Sequence, residues 1–551
     1  MNILIIDSLA VGKGRQKFSR DFIGGGPKLI AGIIHQTLNV RFKIKIISAE
    51  EIIFSNTQIM KEYDLCLISA MTMDYISVRQ LIDLWRKINY EKIIIVGGPI
   101  SQDFELINKL DLDIIVLNEA EKKIVSIFKT SLIKTFNINE KVYEELVKIN
   151  GIMFRYKNKI YNTNPSEFLT YDEFNQFTNP KFYLNYIMDY KNYKSARIYV
   201  ECLRGCSNAY RTKFLLKNRK ECIKTCNICK EGGIKAIYDC PQNIPPGCGF
   251  CSAISSFGFP KSRKIDLILS EISALLKLGA RRIVLGGPDF LDYYREFLVK
   301  DKILSTPRIP PEPNYEKISS LINSLLEIPK IKEQKVQVFI ENVKASLCTD
   351  KALEILSEIP NSIFSIGCET GSDKFSEELG RPFYPSETLE VIRKAISLGI
   401  RIHVYFIHSL PGEKAEYLKE SISMIKRFFN IGVEKITIYK YKEFPGCPFY
   451  ILQNKENSLQ KKNKKLNQLR KKLIRTAINF NRVRKEEMLG QIYETILAEP
   501  NFFNKNDAIG YILKGGPKVL IKHAADKLGD TFFVQINKVL SDKLVEGSII
   551  K

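Results

Sequence analysis

Several things are missing from this chain, and each absence closes a door. The opening stretch "MNILIIDSLAVGKGRQ" has no cationic segment ahead of its short apolar run and no cleavage pattern after it, so it reads as a first strand and not as a secretory leader. No later segment reaches the roughly 18 consecutive apolar residues that a membrane span requires. A soluble cytoplasmic protein with no membrane span is the expectation. There is no G-x-G-x-x-G fingerprint, which disfavours a dinucleotide site. Histidine is scarce, with His35, His403, His408 and His523 alone. Of these only His408 is expected at a strand end that can face a site, and it is given no catalytic role.

Basic residues and clustered cysteines are what the sequence does have. Lys and Arg number 84 against 61 Asp and Glu, a net charge of +23. That excess favours a polyanionic partner such as nucleic acid or an acidic surface, although a generally Lys-rich proteome would produce the same balance. Eight of the twelve cysteines fall between Cys202 and Cys251. Without a secretion signal, such crowding argues for metal binding over disulfides.

At 551 residues the chain is too long for one core. Residues 1–130 alternate short apolar runs ("NILIID", "FKIKIIS", "DLCLISA", "KIIIVGGP") with amphipathic stretches, the pattern of a doubly wound, Rossmann-like α/β sheet. The turns at Gly24-Gly25-Gly26-Pro27 and at Gly97-Gly98-Pro99 sit at strand ends, where such sheets bind ligands. Residues 131–195 read as a linker with a small hairpin, "GIMFRYKNKIYNT". A second alternating series over 196–450 carries six strand signals with helices between them, a full or partial (β/α) barrel with a cysteine-rich insertion at 207–247. Residues 451–486 are expected to form a basic linker helix with one solvated face, and 487–551 a small all-β barrel.

The pair in "PPGCGFCSAISSFG", Cys248 and Cys251, needs a third thiolate. Cys206, at the end of the first barrel strand in "LRGC", is one candidate. Cys222, Cys226 and Cys229 in "CIKTCNIC" form a C-x3-C-x2-C set of their own.

With an R-G-C at a strand end, a C-x-aromatic-C and a basic loop leading into a helix, this region resembles the radical S-adenosylmethionine (SAM) superfamily. The pattern departs from it in one respect: the usual compact C-x3-C-x2-C is split by the insertion. Further matches are "GGPDF", with Gly286, Gly287 and Pro288 near the methionine moiety; "SIGCETGSDKFSEELGRP", with Glu369, Thr370, Gly371 and Ser372 near the cofactor; and "FIHSLPGE".

The resemblance implies a 4Fe-4S cluster on Cys206, Cys248 and Cys251 with one iron left for SAM. An electron from a donor such as ferredoxin or flavodoxin would then cleave the sulfonium bond to give a 5'-deoxyadenosyl radical. Cys222, Cys226, Cys229 and Cys240 remain as a second set, for zinc or an auxiliary iron-sulfur cluster. Two rival assignments stay open: Cys240 or the "CIKTCNIC" trio as the SAM-cluster ligands, and all eight cysteines as a structural knuckle.

The first domain resembles the cobalamin-binding domain that precedes many radical SAM barrels, with Gly97 and Gly98 among its expected contacts, but lacks Asp-x-His-x-x-Gly. Cys66 is the one cysteine before Cys202, so the three-cysteine N-terminal domain of methylthiotransferases is not present. The last 65 or so residues resemble a TRAM domain, an RNA-holding barrel, with Lys514, Lys518, Lys522 and Lys538 beside Tyr511 and Phe532. The resemblance thus implies a radical SAM enzyme that modifies, by methylation, a tRNA-like RNA. A cobalamin-dependent enzyme acting on a lipid, peptide or small metabolite and a non-catalytic zinc- and RNA-binding protein are the alternatives.

Overall fold

Runs of Ile, Leu and Val that are apolar on both faces can be buried only between layers, and the computed structural model puts them there. It describes residues 1–8, 21–38, 42–208, 210–212, 245–298, 312–451 and 463–550. Two units result: residues 1–199 with 266–275, and residues 200–265 with 276–551.

In the first unit the strands are β1 (Asn2–Asp7), β2 (Lys43–Ser48), β3 (Leu65–Ser69), β4 (Ile94–Gly97), β5 (Ile114–Val116), β6 (Ile152–Tyr156) and β7 (Lys159–Asn162). They form one sheet in the order β2-β1-β3-β4-β5-β6-β7. The first five pair parallel, and β6 and β7 add an antiparallel edge. The hairpin seen in the sequence at "GIMFRYKNKIYNT" is therefore the continuation of this sheet. Among the intervening helices, α1 (Gly26–Thr37) begins with Pro27, whose missing N–H costs nothing in a first turn. In α2 (Tyr75–Ile88), Val78, Leu81, Ile82 and Trp85 recur at helical spacing and enter the core beneath the sheet. A third helix, α3, spans Glu121–Lys129.

The second unit is built on strands that follow one another in space as in sequence: the end of β8 (Arg197–Glu201), β9 (Arg282–Gly286), β10 (Gln337–Val343), β11 (Ile363–Glu369), β12 (Arg401–His408) and β13 (Lys435–Lys440). From β9 to β13 they pair in parallel, with α4 (Tyr315–Leu326), α5 (Asp350–Ser357), α6 (Pro385–Ser397) and α7 (Ala415–Asn430) between them. The result is a curled half-barrel.

Helix α8 (Lys464–Glu486) is more than a linker. It buries Leu466, Leu473, Ala477 and Phe480, its Asn481 amide makes both backbone bonds to Ile436 at 2.9 and 2.7 Å, and Arg484 donates to the carbonyls of Val433 and Phe429. Lys464, Lys465, Lys471 and Lys472, which mark it as solvated in the sequence, are exposed, whereas Lys485 is buried with the docking residues.

Strands β14 (Ile492–Pro500), β15 (Ala508–Ile512), β16 (Lys518–Ile521), β17 (Thr531–Val539) and β18 (Leu544–Ile549) close into a barrel in the order β14-β15-β16-β18-β17. It docks on the amino-terminal rim of the half-barrel. Arg401, the first residue of β12, donates to the carbonyls of Lys514 and Gly515, Arg281 beside β9 reaches Thr531 at 2.5 Å, and Arg282 lies 5.0 Å from the Tyr511 ring centroid. Among the described residues no helix is long and apolar enough to cross a membrane.

Candidate active site

The carboxyl ends of parallel strands are where this architecture gathers chemistry, and Cys206, Cys248 and Cys251 are gathered there. A two-residue ladder holds the loop after β8: Leu203–Arg204 pairs antiparallel with Lys261–Ser262, and the Arg263 N–H donates to the Cys202 carbonyl at 2.8 Å. Gly205 follows with φ of +89°. A Cβ there would lie 2.2 Å from the Phe259 carbonyl oxygen, so only glycine delivers the chain to Cys206. In the Cys248–Cys251 turn the Cys251 N–H donates to the Cys248 carbonyl at 2.9 Å. Gly249 lies against the Phe449 ring, 2.4 Å from where a Cβ would stand. Between the cysteines, Phe250 packs on the apolar cluster of Phe375, Leu379, Leu410, Tyr417, Cys447 and Phe449.

The three sulfurs are near enough to act on one another. Burial, opposed by Lys344 and reinforced by Asp292 and Cys248, pushes the Cys206 thiol up to about 11. Burial followed by Cys248, and to a lesser degree Cys206, pushes Cys251 up to about 12. The groups aimed at the sulfurs are donors. Asn208 donates to Cys248 Sγ at 3.2 Å, the Ala253 N–H to Cys251 Sγ at 3.4 Å, and Arg381 to Cys248 Sγ at 3.7 Å.

Such a set fits a cluster. Half-buried thiolates crowded together require compensating positive charge, which a 4Fe-4S centre held by Cys206, Cys248 and Cys251 would supply. Among the described residues no three Cys, His, Asp or Glu converge as ligands of a single ion.

Of the other expected contacts, Gly286 and Gly287 meet the chain just before Cys206, and Glu369 pairs with the Arg381 that reaches Cys248. Gly286 closes β9, and its carbonyl accepts from the Cys202 N–H at 2.8 Å. A Cβ on Gly287 would stand 2.7 Å from Leu203, and Pro288 is exposed. Glu369 ends β11 in a left-handed conformation, φ +64°. It pairs with Arg381 at 3.5 Å, and burial, opposed by Arg381, moves its carboxyl upward. Thr370, Gly371 and Ser372 are turned toward α7 and their own turn: the Gly371 N–H donates to Ser421 Oγ at 2.8 Å and the Ser372 N–H to Thr370 Oγ1 at 3.2 Å. Buried His408 contacts Ser409 at 2.9 Å, and burial, then Arg470 and Lys440, pulls it down to about 4, so it is neutral near pH 7. Cys222, Cys226, Cys229 and Cys240 lie outside the described residues.

Sequence reading did not find the polar groups around these thiolates: Asn208, Lys344, Asp289, Asp292, Arg295 and Arg381. The one signal was position, because Lys344 directly follows β10 and Asp289 follows the Gly-Gly-Pro turn after β9.

In the first unit, Gly97 and Gly98 close β4 at the ligand edge of the sheet. Gly98 has φ of +86°, and a Cβ on it would meet the Ala70 carbonyl at 2.7 Å. The hydroxyls of Ser8, just past β1, and Ser101, four residues past β4, are buried with no partner among the described residues. His35, the one histidine of residues 1–199, lies in the last turn of α1 and contacts Tyr186 at 3.1 Å.

The half-barrel with cysteines at its carboxyl rim defines a class, and comparison with known proteins names it. The Radical SAM superfamily profile matches residues 234–425. The uncharacterized protein MJ1620 of Methanocaldococcus jannaschii is 37% identical over 100% of this chain and 99% of its own length. A tRNA-2-methylthio-N(6)-dimethylallyladenosine synthase of Petrotoga mobilis is 24% identical over 56% of this chain and 64% of its own. Among solved structures, the radical SAM methyltransferase TsrM of Kitasatospora setae, with cobalamin and a 4Fe-4S cluster bound, superposes with a TM-score of 0.54 at 11% identity, covering 82% of this chain and 74% of that one. The chain belongs to the radical SAM superfamily, in one family with MJ1620. That membership implies a 4Fe-4S cluster and SAM.

Proposed function

We propose that this radical SAM enzyme holds its cluster on Cys206, Cys248 and Cys251 and, with a corrin in the first unit, methylates a tRNA-like RNA. The observation that carries the proposal is the meeting of three half-buried cysteines at the carboxyl rim of the half-barrel, with N–H donors on the sulfurs of Cys248 and Cys251. Three thiolates leave a 4Fe-4S centre one protein ligand short, and when bound it supplies the electron that breaks the sulfonium bond of SAM. Asn208, the Ala253 N–H and Arg381 stabilise negative charge on sulfur. Phe250 and the cluster beneath it keep water from that side. Gly286, Gly287, Pro288 and Glu369, with Thr370 to Ser372 as backbone support, are the residues assigned to SAM. Cys222, Cys226, Cys229 and Cys240 are assigned to a second metal, zinc or iron.

A corrin draws support from the orphaned Ser8 and Ser101 hydroxyls and the Gly97-Gly98 turn at one edge of the sheet. His35 is hydrogen-bonded elsewhere, so the corrin would bind without a histidine from that edge. Methyl transfer is preferred to sulfur insertion because residues 1–199 carry Cys66 alone, in β3 and fully buried. RNA is favoured by the +23 charge, by the name of the Petrotoga relative, and by a barrel with Phe502, Phe503 and Phe533 exposed.

The test is anaerobic reconstitution followed by incubation with SAM, reductant and bulk tRNA. Formation of 5'-deoxyadenosine supports the class, and transfer of labelled methyl from SAM to RNA supports the substrate. Cleavage of SAM with no label in RNA would sink the RNA assignment alone, and absence of both would sink the whole reading.

A further inference from the structure

The carboxyl end of β10 places a half-buried ammonium against the residue that follows the first cysteine. Lys344 Nζ lies 3.1 Å from Ser207 Oγ, and Ser207 is the residue after Cys206. Lys344 is held by two fully buried carboxylates, Asp292 at 2.7 Å and Asp289 at 3.2 Å. Asp292 is itself fastened from three sides. It accepts from the Ser207 N–H at 3.1 Å and from Ser207 Oγ at 2.6 Å, and it pairs with the fully buried Arg295. Arg295 also donates to Ser207 Oγ at 2.9 Å, while its Nε and Nη2 are buried without a partner among the described residues.

A network this costly to bury is weak evidence of stability, since apolar residues of like volume would do as well. Its formal charges, Lys344 and Arg295 against Asp289 and Asp292, cancel. Lys344, Asp292 and Arg295 nevertheless all reach Ser207, the neighbour of Cys206, so each charge acts at short range on whatever that cysteine holds.

We infer that Lys344 is a positioning residue that sets the reduction potential of the cluster, its charge fixed beside the Cys206 thiolate by Asp292 and Ser207. The inference rests on the cysteine assignment above. Reduction adds one negative charge to the cluster. A cation fixed nearby in a low-dielectric pocket favours that form, and a carboxylate opposes it. The device would bring a low-potential centre within reach of a soluble one-electron donor.

The signature is one of opposite signs, which a purely structural role would not produce. In redox titrations of the reconstituted full chain followed by electron paramagnetic resonance, K344Q is expected to lower the midpoint potential by at least a tenfold change in the reduction equilibrium, about 59 mV for one electron. D292N should raise it, and K344R should retain the wild-type value. If K344Q fails to load iron, the contrast between D292N and K344R carries the test. With iron and sulfide at wild-type levels, shifts of the same sign in K344Q and D292N, or no shift in either, overturn the inference. Iron content unchanged in C206A would instead overturn the cysteine assignment on which it rests.

Discussion

Arg470 on α8 and Glu413 in the turn after β12 form a buried ion pair at 2.6 Å across 57 residues of sequence, their side chains 9% and 2% exposed. Glu413 spends its other oxygen on the Ser409 N–H at 2.8 Å, so one carboxylate fixes both the Leu-Pro-Gly-Glu turn and the helix. Removing one partner strands the other charge out of water, which costs about 3 to 5 kcal/mol. R470M should therefore lower the thermal unfolding temperature markedly, and the double variant R470M/E413L should recover part of the loss. A double variant as unstable as the sum of the two singles would show that the pair does not act as a unit.

Much of this fold was legible because the hydrophobic pattern changes period where the architecture changes. Ile283 to Leu285, Ile363 to Ile366 and the alternation in "RIHVYFIH" announce strands, and "GGPDF" and "CETGS" mark their carboxyl ends. The proposed cysteine set draws on the same signals, a strand end before 206 and a helix lead-in after 251. Lys344 and Asp292 were not. A buried cation and an exposed one look alike in sequence, and only the tertiary fold brings residues 207, 289, 292, 295 and 344 to one place. The helical stretch after residue 463 was legible as a basic helix with one solvated face, but the face that docks it was not, because few apolar residues mark it.

Gly205 tests how narrowly Cys206 is placed. With φ of +89° and a carbonyl oxygen 2.2 Å from any Cβ, an alanine there must move backbone. Strain of this kind costs on the order of 1 to 3 kcal/mol. G205A is expected to fold with a modest loss of stability and to retain far less iron after reconstitution, whereas G399A, at a positive-φ glycine with open space around its Cβ, should lose a similar amount of stability and no iron. Equal iron in both variants would show that the Cys206 loop tolerates displacement.

The acid side of the stability profile should carry the mark of Glu434. Burial works against its charge, yet His403 and Arg401 bring the carboxyl down to about 2, with Arg401 bidentate at 2.5 and 2.8 Å. An unfolded glutamate titrates near ~4.3. The stabilisation is therefore complete above that value and disappears as pH falls through about 2. Its size is on the order of 2 kcal/mol after allowance for partial exposure. Guanidinium unfolding of the cluster-free chain should show E434Q less stable than wild type near neutrality, with the difference shrinking steadily below about pH 4. A difference independent of pH would mean that packing, not charge, is what the substitution removes.

The C-terminal barrel separates two kinds of aromatic residue that sequence treats as equal. Tyr511 is buried, its hydroxyl donating to Glu499 at 2.7 Å, and Lys518 pairs with the same carboxylate at 2.9 Å. Lys522 is paired with Glu546 at 2.8 Å, and Phe532 packs on the barrel core. The expectation that Tyr511 and Phe532 offer faces to bases therefore moves to Phe502, Phe503 and Phe533, which are 84%, 77% and 62% exposed. Stacking a base on such a ring is worth about 1 to 3 kcal/mol by alanine substitution. F533A and F502A should each weaken binding of tRNA by roughly tenfold at fixed salt, measured by fluorescence anisotropy, and leave SAM cleavage in the absence of RNA unchanged. Y511F should lower the unfolding temperature without a comparable loss of affinity. Because the barrel docks on the amino-terminal rim and the cysteines lie at the carboxyl rim, an RNA held at both must reach from one end of the strands to the other. A free nucleoside should therefore be a far poorer methyl acceptor than a folded RNA. Equal acceptance of the two would remove the barrel from substrate recognition.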